Sequence, residues 1–415
     1  MPELFYTREL PNGLTLLGQR METVSSAAMT LVVPAGAAHD SPGDEGAAAV
    51  ASEWLFRGAG DRDTRALNDA LDSLGCQHSE AVQSEHIHLS AVQLGRNLPA
   101  VLSIYADILR RARLENATFD PCRALTLQDL ASLEDEPAHK CSLMLRERFY
   151  PRPLGQCVYG RAESLQALAA ETVRKHVARR WGPRGTILAL AGNIDWNALC
   201  DLVETLLGDW SGPEPAHPQT RPPEDGETHV RKDSAQVHIA LAHRAVPIRD
   251  GRYYAARMAE TVLSGGMSSR LFTEVREKRG LVYNVGCRYH SLLEHAGMFT
   301  YAGTRPDLAQ QTFDVTVREI RRLAEGVGED ELARARTQLK SAVVLQGEST
   351  SSRANSIASD WFHLRRLRGL QEVSEAIEKV TAGDVLAYLR DFPARDFTVL
   401  VVGPSPLDTS VIREN

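Results

Sequence analysis

Apolar positions along the chain follow two rhythms that alternate. Short runs of the strand type stand at residues 27–33, in TILALAG ending at Gly192, at 236–242, and in FTVLVVG ending at Gly403. Apolar residues at three- and four-residue spacing mark helices at 98–110, 117–134, 307–323 and 329–344, with further helices starting near Gly46 and covering 196–207 and 253–263. The order of strand, helix, later helices and closing strand occurs once before residue 211 and again after residue 227, so the chain repeats one plan. Between the repeats, residues 211–227 carry five prolines among polar and acidic residues without hydrophobic periodicity, the signature of a linker. The pattern therefore divides the chain into a domain at 1–210, a linker at 211–227 and a second domain at 228–415. Strands and helices in segregated runs favour the α+β class over a doubly wound sheet: each domain is expected to be an antiparallel-rich mixed sheet covered by helices on one face.

Composition narrows the function without changing the fold. The 415 residues exceed what one ordinary core organises, and 43% hydrophobic with 24% charged residues is a globular balance. A net charge of −7 argues against a general nucleic-acid binder, and the basic clusters at 174–180 and 365–368 read as solvated helix ends. No apolar run approaches the roughly 18 residues of a membrane span. The start, MPELFYTRELPNG, lacks the basic and apolar regions of an export signal, so a cytoplasmic protein without membrane contact is expected. Six cysteines without a C-x-x-C imply free, mostly buried thiols.

Candidate chemistry concentrates in GGMSSRLFTEVREKRGLVY, residues 265–283. Ser268 or Ser269 is placed to cap a short helix whose buried stripe is Leu271, Phe272 and Val275, while Glu274, Glu277 and Lys278 fall on other faces. Gly280 suits a left-handed residue that stops the helix, and Leu281, Val282 and Tyr283 begin a strand. Arg276 and Tyr283 then flank a rigid corner. By spacing alone they read as a surface arginine and a half-buried strand tyrosine.

The double glycine at 265 and 266, SSRLF at 268–272 and REKRGLVY at 276–283 resemble the second half of the pitrilysin and insulin-degrading-enzyme superfamily, which includes mitochondrial processing peptidase and the core proteins of respiratory complex III. The resemblance runs from LPNGL at 10–14 to VVG at 401–403. It implies two homologous domains closing as a clamshell around a peptide, with Gly265 and Gly266 in the substrate-binding corner. It also implies that Arg276 holds substrate backbone and that the Tyr283 hydroxyl donates to the oxyanion forming on the scissile carbonyl.

Active members of that superfamily carry H-x-x-E-H on the first helix of the first half, two histidines binding zinc and a glutamate acting as base. Aligned on the L-F-x-G that follows, EGAAAVASEWLFRGAG places Ala49 and Glu53 at the histidine positions and Ser52 at the glutamate position. The glutamate of a later helix corresponds to Asp129, a single carboxylate that cannot rebuild a zinc site. The asparagine-alanine pair that helps grip substrate is replaced by Ser79 and Glu80. HSLLEH at 290–295 is one residue too long for the motif and lies in a strand region, and His78, His86 and His88 read as surface or cross-strand residues. No phosphate loop or G-x-S-x-G elbow competes.

The resemblance thus implies a chain that lost the metal half of a peptidase site and kept the arginine and tyrosine half. The leading expectation is a zinc-less subunit that supplies Arg276 and Tyr283 in trans to a homologous zinc-bearing partner, with no cofactor of its own and a peptide as substrate; in isolation it would pair with itself. The second is a structural or assembly protein comparable to the complex III core proteins. The third is an autonomous metallopeptidase with a site rearranged around His78, His86 and His88.

Overall fold

The computed structural model describes residues 3–223, 226 and 228–413. Two compact units emerge. One comprises residues 1–132, 156–220 and 346–369; the other comprises 133–155, 221–345 and 370–415. They differ from the contiguous halves expected above by two exchanged segments, 133–155 and 346–369. The boundary at Thr220 falls within the proline-rich stretch, of which residues 224, 225 and 227 lie outside the described residues.

In the first unit, strands β1 (Leu4–Glu9), β2 (Thr15–Arg20) and β3 (Ser26–Val33) precede a two-residue hairpin of β4 (Gly58–Ala59) and β5 (Arg62–Asp63), and β6 (Gln77–Val82), β7 (Ile87–Leu94) and β8 (Ile187–Gly192) follow. Six of these form one sheet in the order β1-β2-β8-β3-β7-β6, antiparallel except where β2 runs parallel to β8. One face packs Leu16, Met29, Leu31, Leu89 and Leu190 against Val101, Leu102, Tyr105 and Ile108 of helix Leu98–Arg111. The other face, with Leu17, Val32, Ile187 and Ala189, takes Ile357 and Ala358 of helix Thr350–Leu364. Strands apolar on both sides must be covered on both sides, and this sheet's second cover comes from the exchanged segment.

The second unit repeats the device. Strands β9 (His229–Arg231), β10 (Val237–Ala245), β11 (Val282–Ser291), β12 (Ala296–Thr304) and β13 (Thr398–Gly403) form a sheet in the order β11-β12-β10-β13-β9, with only the β13 to β9 pairing parallel among the described residues. Its main core unites Ile239, Leu241, Met298 and Val401 with Met258 and Val262 of helix Tyr253–Ser264, Phe313 and Val317 of helix Ala309–Arg322, and Val385 and Tyr388 of helix Ala382–Asp391. On its reverse, Ala240, Ala242 and Leu400 meet Cys141 and Leu145 of helix Pro137–Phe149. Each domain is therefore α+β with a mixed, largely antiparallel sheet, and one further helix lies on the face expected to be bare. No helix of the described residues is long and apolar enough to cross a membrane.

Candidate functional site

In the second unit, helix Tyr253–Ser264 ends where Gly265 donates its amide to the Thr261 carbonyl at 2.6 Å. A Cβ on Gly265 would fall 2.5 Å from Gln338 Oε1 and 2.6 Å from the Thr261 carbonyl, so packing alone requires glycine there. A Cβ on Gly266 would fall a looser 3.1 Å from the Gln338 amide nitrogen. The serine cap expected for the next helix is not formed: the Ser269 hydroxyl donates to the Gly266 carbonyl at 2.6 Å and so fastens the turn instead.

Residues Phe272–Glu277 wind as a π-helix, in which the Lys278 amide reaches back five residues to the Thr273 carbonyl at 2.9 Å. Such wide turns are rare and concentrate at functional positions. Leu271 and Val275 are buried, which anchors the segment. Most of its charges are spent locally. Arg270 pairs with Glu331 at 2.8 Å; Glu274 accepts from Lys278 and Arg279, each at 2.7 Å, and these two hydrogen bonds pull its carboxyl down to about 2. Arg276 has no carboxylate partner among the described residues, and its exposed guanidinium lies 4.9 Å from the centre of the Phe272 ring. Gly280, at φ +60°, ends the segment as its sequence implied.

Strand β11 then starts with an irregularity that decides where Tyr283 points. Val285, Cys287 and Tyr289 share the core side of the strand, so in a regular strand Tyr283 would join them. The register with β12 shifts between Val282 and Asn284, leaving Tyr283 as an extra residue: Val282 pairs with Thr304, and Asn284 pairs with the adjacent Gly303. The bulge drops Val282 into the core in place of Tyr283 and leaves Tyr283 77% exposed. Its hydroxyl has no hydrogen bond among the described residues. The half-buried tyrosine expected from spacing is thus an exposed one, re-aimed by the backbone.

In the first unit, helix Ala47–Leu55 carries Ala49, Ser52 and Glu53, the positions that the resemblance aligns with the zinc motif. Asp40 fixes its start by accepting from the amides of Gly46 at 2.8 Å and Ala48 at 2.9 Å, and burial raises the Asp40 carboxyl to about 7. Trp54 fixes its end, donating to Thr118 at 2.9 Å beneath the Arg174 guanidinium. On this well-held helix Ala49 offers no donor atom, Ser52 is buried with its hydroxyl unpartnered, and Glu53 forms an ion pair with Arg57 one turn on. Asp129 sits exposed on helix Asn116–Ser132. No group of three or more His, Cys, Asp or Glu among the described residues could hold a metal ion. These residues do not fit a catalytic zinc.

The histidines are absorbed by structure. His78 stacks on Phe56 and lies 3.7 Å from Glu80, which raises its pKa. His86 lies against Phe362, with burial lowering its pKa to about 3; His88 bonds Asn355 at 3.0 Å. His290 is held by Tyr150 at 2.7 Å, and His295 closes the β11–β12 turn through its carbonyl to the Leu292 amide. Ser79 and Glu80 lie on edge strand β6, where the Ser79 hydroxyl meets that of Ser90 at 2.8 Å. Sequence reading passed over three residues that shape these places. Gln338 beside the double glycine and Ser264, whose hydroxyl accepts from the Cys287 amide at 2.8 Å, carry no motif, but Arg57 at i+4 from Glu53 is a helical ion-pair spacing visible in the sequence.

Two family models match the chain. Residues 16–161 match "Insulinase (Peptidase family M16)" and residues 167–339 match "Peptidase M16 inactive domain". An uncharacterized zinc protease of Rickettsia bellii is 27% identical over 414 residues, covering 98% of this chain and 99% of its own. Among solved structures, a peptidase M16 inactive domain from Pseudomonas fluorescens superposes with a TM-score of 0.88 at 19% identity, covering 98% of this chain and 99% of that one. A chain of complex III2 from Candida albicans superposes with a TM-score of 0.84 at 19% identity, covering 96% of each.

Proposed function

For this chain, which belongs to the pitrilysin/insulinase (M16) superfamily, we propose the role of a zinc-less subunit in a two-chain peptidase, supplying Arg276 and Tyr283 to a homologous zinc-bearing partner. The observation that carries this reading is the contrast between two places in one chain. At one, a π-turn and a bulge leave Arg276 and Tyr283 exposed, with neither a carboxylate partner for Arg276 nor a hydrogen bond to the Tyr283 hydroxyl among the described residues. At the other, Ala49, Ser52 and Glu53 offer no metal ligand set, and Glu53 is already neutralised by Arg57.

Chemistry at the metal belongs to the partner. This chain contributes donors: Arg276 to the backbone of a bound peptide and the Tyr283 hydroxyl to the oxygen of the carbonyl under attack. A preorganised donor of that kind is worth about 3 kcal/mol of transition-state stabilisation. The purified chain should carry no stoichiometric zinc and cleave no peptide, and should restore cleavage when mixed with a homologous chain that has an intact H-x-x-E-H. One tightly bound zinc per purified chain, found by elemental analysis, overturns the proposal.

A second reading, a structural or assembly protein, draws support from the likeness to a chain of complex III2. Reconstituted cleavage that survives both Tyr283→Phe and Arg276→Ala would favour it.

A further inference from the structure

The wide turn that carries Arg276 leaves one main-chain group over. At its C-terminal end the Thr273 carbonyl takes the Lys278 amide at 2.9 Å, the Val275 carbonyl takes the Leu281 amide at 3.1 Å, and the Arg276 carbonyl takes the Gly280 amide at 2.9 Å. The Glu274 carbonyl between them accepts no backbone amide among the described residues. In an α-helix it would accept from Lys278, whose amide the π-register hands to Thr273 instead. An acceptor left over in a buried turn costs free energy unless another donor reaches it, and Glu274 is only 9% exposed.

Arg279 supplies that donor. Its Nη1 donates to the Glu274 carbonyl at 2.6 Å and to the Glu274 carboxylate Oε2 at 2.7 Å, so one guanidinium closes on two oxygens of one residue. Lys278, the other cation on this carboxylate, donates to Oε1 at 2.7 Å. The buried Glu319 of helix Ala309–Arg322 stands near enough to attract the same guanidinium. Hydrogen bonds from a charged donor are the strong ones, and here both hold the turn in its wide register. We infer that Arg279 is a positioning residue for peptide recognition: by satisfying the carbonyl that the π-register orphans, it keeps the turn wide and holds Arg276, three residues before it, in its exposed place. The inference rests on the proposed role of Arg276 in binding peptide, and it separates the two arginines of the corner. Arg276 touches the substrate, and Arg279 acts through Arg276.

Two readouts on the full chain test this. The first is hydrogen exchange at the Lys278 amide, whose intrinsic rate does not depend on the residue that follows it. Arg279→Ala should speed that exchange about ten- to a hundred-fold, the effect of losing a hydrogen bond to a charged group. Arg279→Lys should recover part of the protection, and Glu274→Gln, which keeps the carbonyl contact, should speed exchange less than Arg279→Ala does. The second readout is cleavage of fluorescein-labelled β-casein by the chain mixed with a homologous zinc-bearing chain. Arg279→Ala should lower kcat/KM about ten-fold or more, and adding it to Arg276→Ala should lower it no further, because a residue that acts only through another then has nothing left to position. Unchanged exchange in Arg279→Ala overturns the inference whatever cleavage does. Faster exchange with losses of cleavage that add in full also overturns it, since Arg279 would then act on the substrate itself. Faster exchange with cleavage indifferent to both Arg276→Ala and Tyr283→Phe leaves Arg279 as the residue that holds the turn and overturns the assigned role of that pair. If Arg279→Ala does not fold, Arg279→Lys and Glu274→Gln carry the comparison, and exchange no faster in either one overturns the inference.

Discussion

Glu53, in the last turn of helix Ala47–Leu55, forms an ion pair with Arg57 just past the helix end, so on the proposed reading the position of a metal ligand has become half of an internal salt bridge. Both side chains are roughly three-tenths exposed, which puts the pair in the range of about 0.3–1 kcal/mol rather than that of a buried charge network. Urea unfolding of Glu53→Ala, Arg57→Ala and the double variant should return a coupling energy of that size, and none of the three should take up zinc. A coupling near zero, or one zinc per chain in any variant, would count against the pair as the structural replacement of the metal.

Tyr283 occupies a bulge, and the register on either side of it makes a sharp prediction for its deletion. Val282 already pairs with Thr304 and Asn284 with the adjacent Gly303, so removing Tyr283 joins two correctly registered stretches. Val282 already lies in the core, so the deletion should not empty it. The deleted chain should melt within a few degrees of the unaltered one, a change of about 1 kcal/mol, yet fail to support cleavage in the reconstituted enzyme. A deletion that unfolds the chain would show that the bulge serves the sheet and not the tyrosine.

The sequence made the sheets and the principal helices legible because their buried faces are apolar: the helix read at 196–207 is Trp196–Leu207, with Leu199, Val203 and Leu207 inside. Helix Thr350–Leu364 escaped for the opposite reason. Its buried positions include Thr350, Arg353 and Asp360, so the apolar rhythm is broken where it should be clearest. The Arg276 and Tyr283 corner was legible from its motif, but neither the π-turn nor the bulge was, since both depend on pairing with β12 and on bonds that span the corner. That Ala49 offers no metal donor and Ser52 no carboxylate could be read from the residues alone, whereas the capture of Glu53 by Arg57 needed the side-chain geometry.

That polar helix supplies a test of how the first sheet is closed. Arg353 is 2% exposed, donates to Gln19 at 2.7 Å and lies 3.3 Å from Glu3, while Asn355 accepts from Thr30 at 2.6 Å and meets His88 at 3.0 Å. Arg353→Ala strands the buried Gln19 amide and opens a void, and should lower stability by about 2–3 kcal/mol in urea unfolding. Arg353→Met keeps the packing and should lose less. Equal losses would place the stability in the hydrogen bond and ion pair of Arg353 and remove packing from the explanation.

Buried histidines set the acid limit of the fold. His243 is enclosed on β10 with its Nδ1 unpartnered and its ring edge-on to Phe397 at 5.4 Å, and burial lowers its pKa to about 4. His39 and His176 are likewise lowered to about 4 by burial and by the positive charge of Arg180. An unfolded histidine takes up its proton near pH 6.5, so from there down to about pH 4 the unfolded chain binds protons the folded chain refuses. Stability that is present above about pH 6.5 is therefore lost as pH falls through that window, each such histidine contributing up to about 1.4 kcal/mol per pH unit. His243→Leu, which has no proton to take up in either state, should flatten the decline by about one such contribution between pH 6.5 and 4. If the unaltered chain and the variant lose stability in parallel across that range of urea-unfolding measurements, His243 does not govern the acid limit.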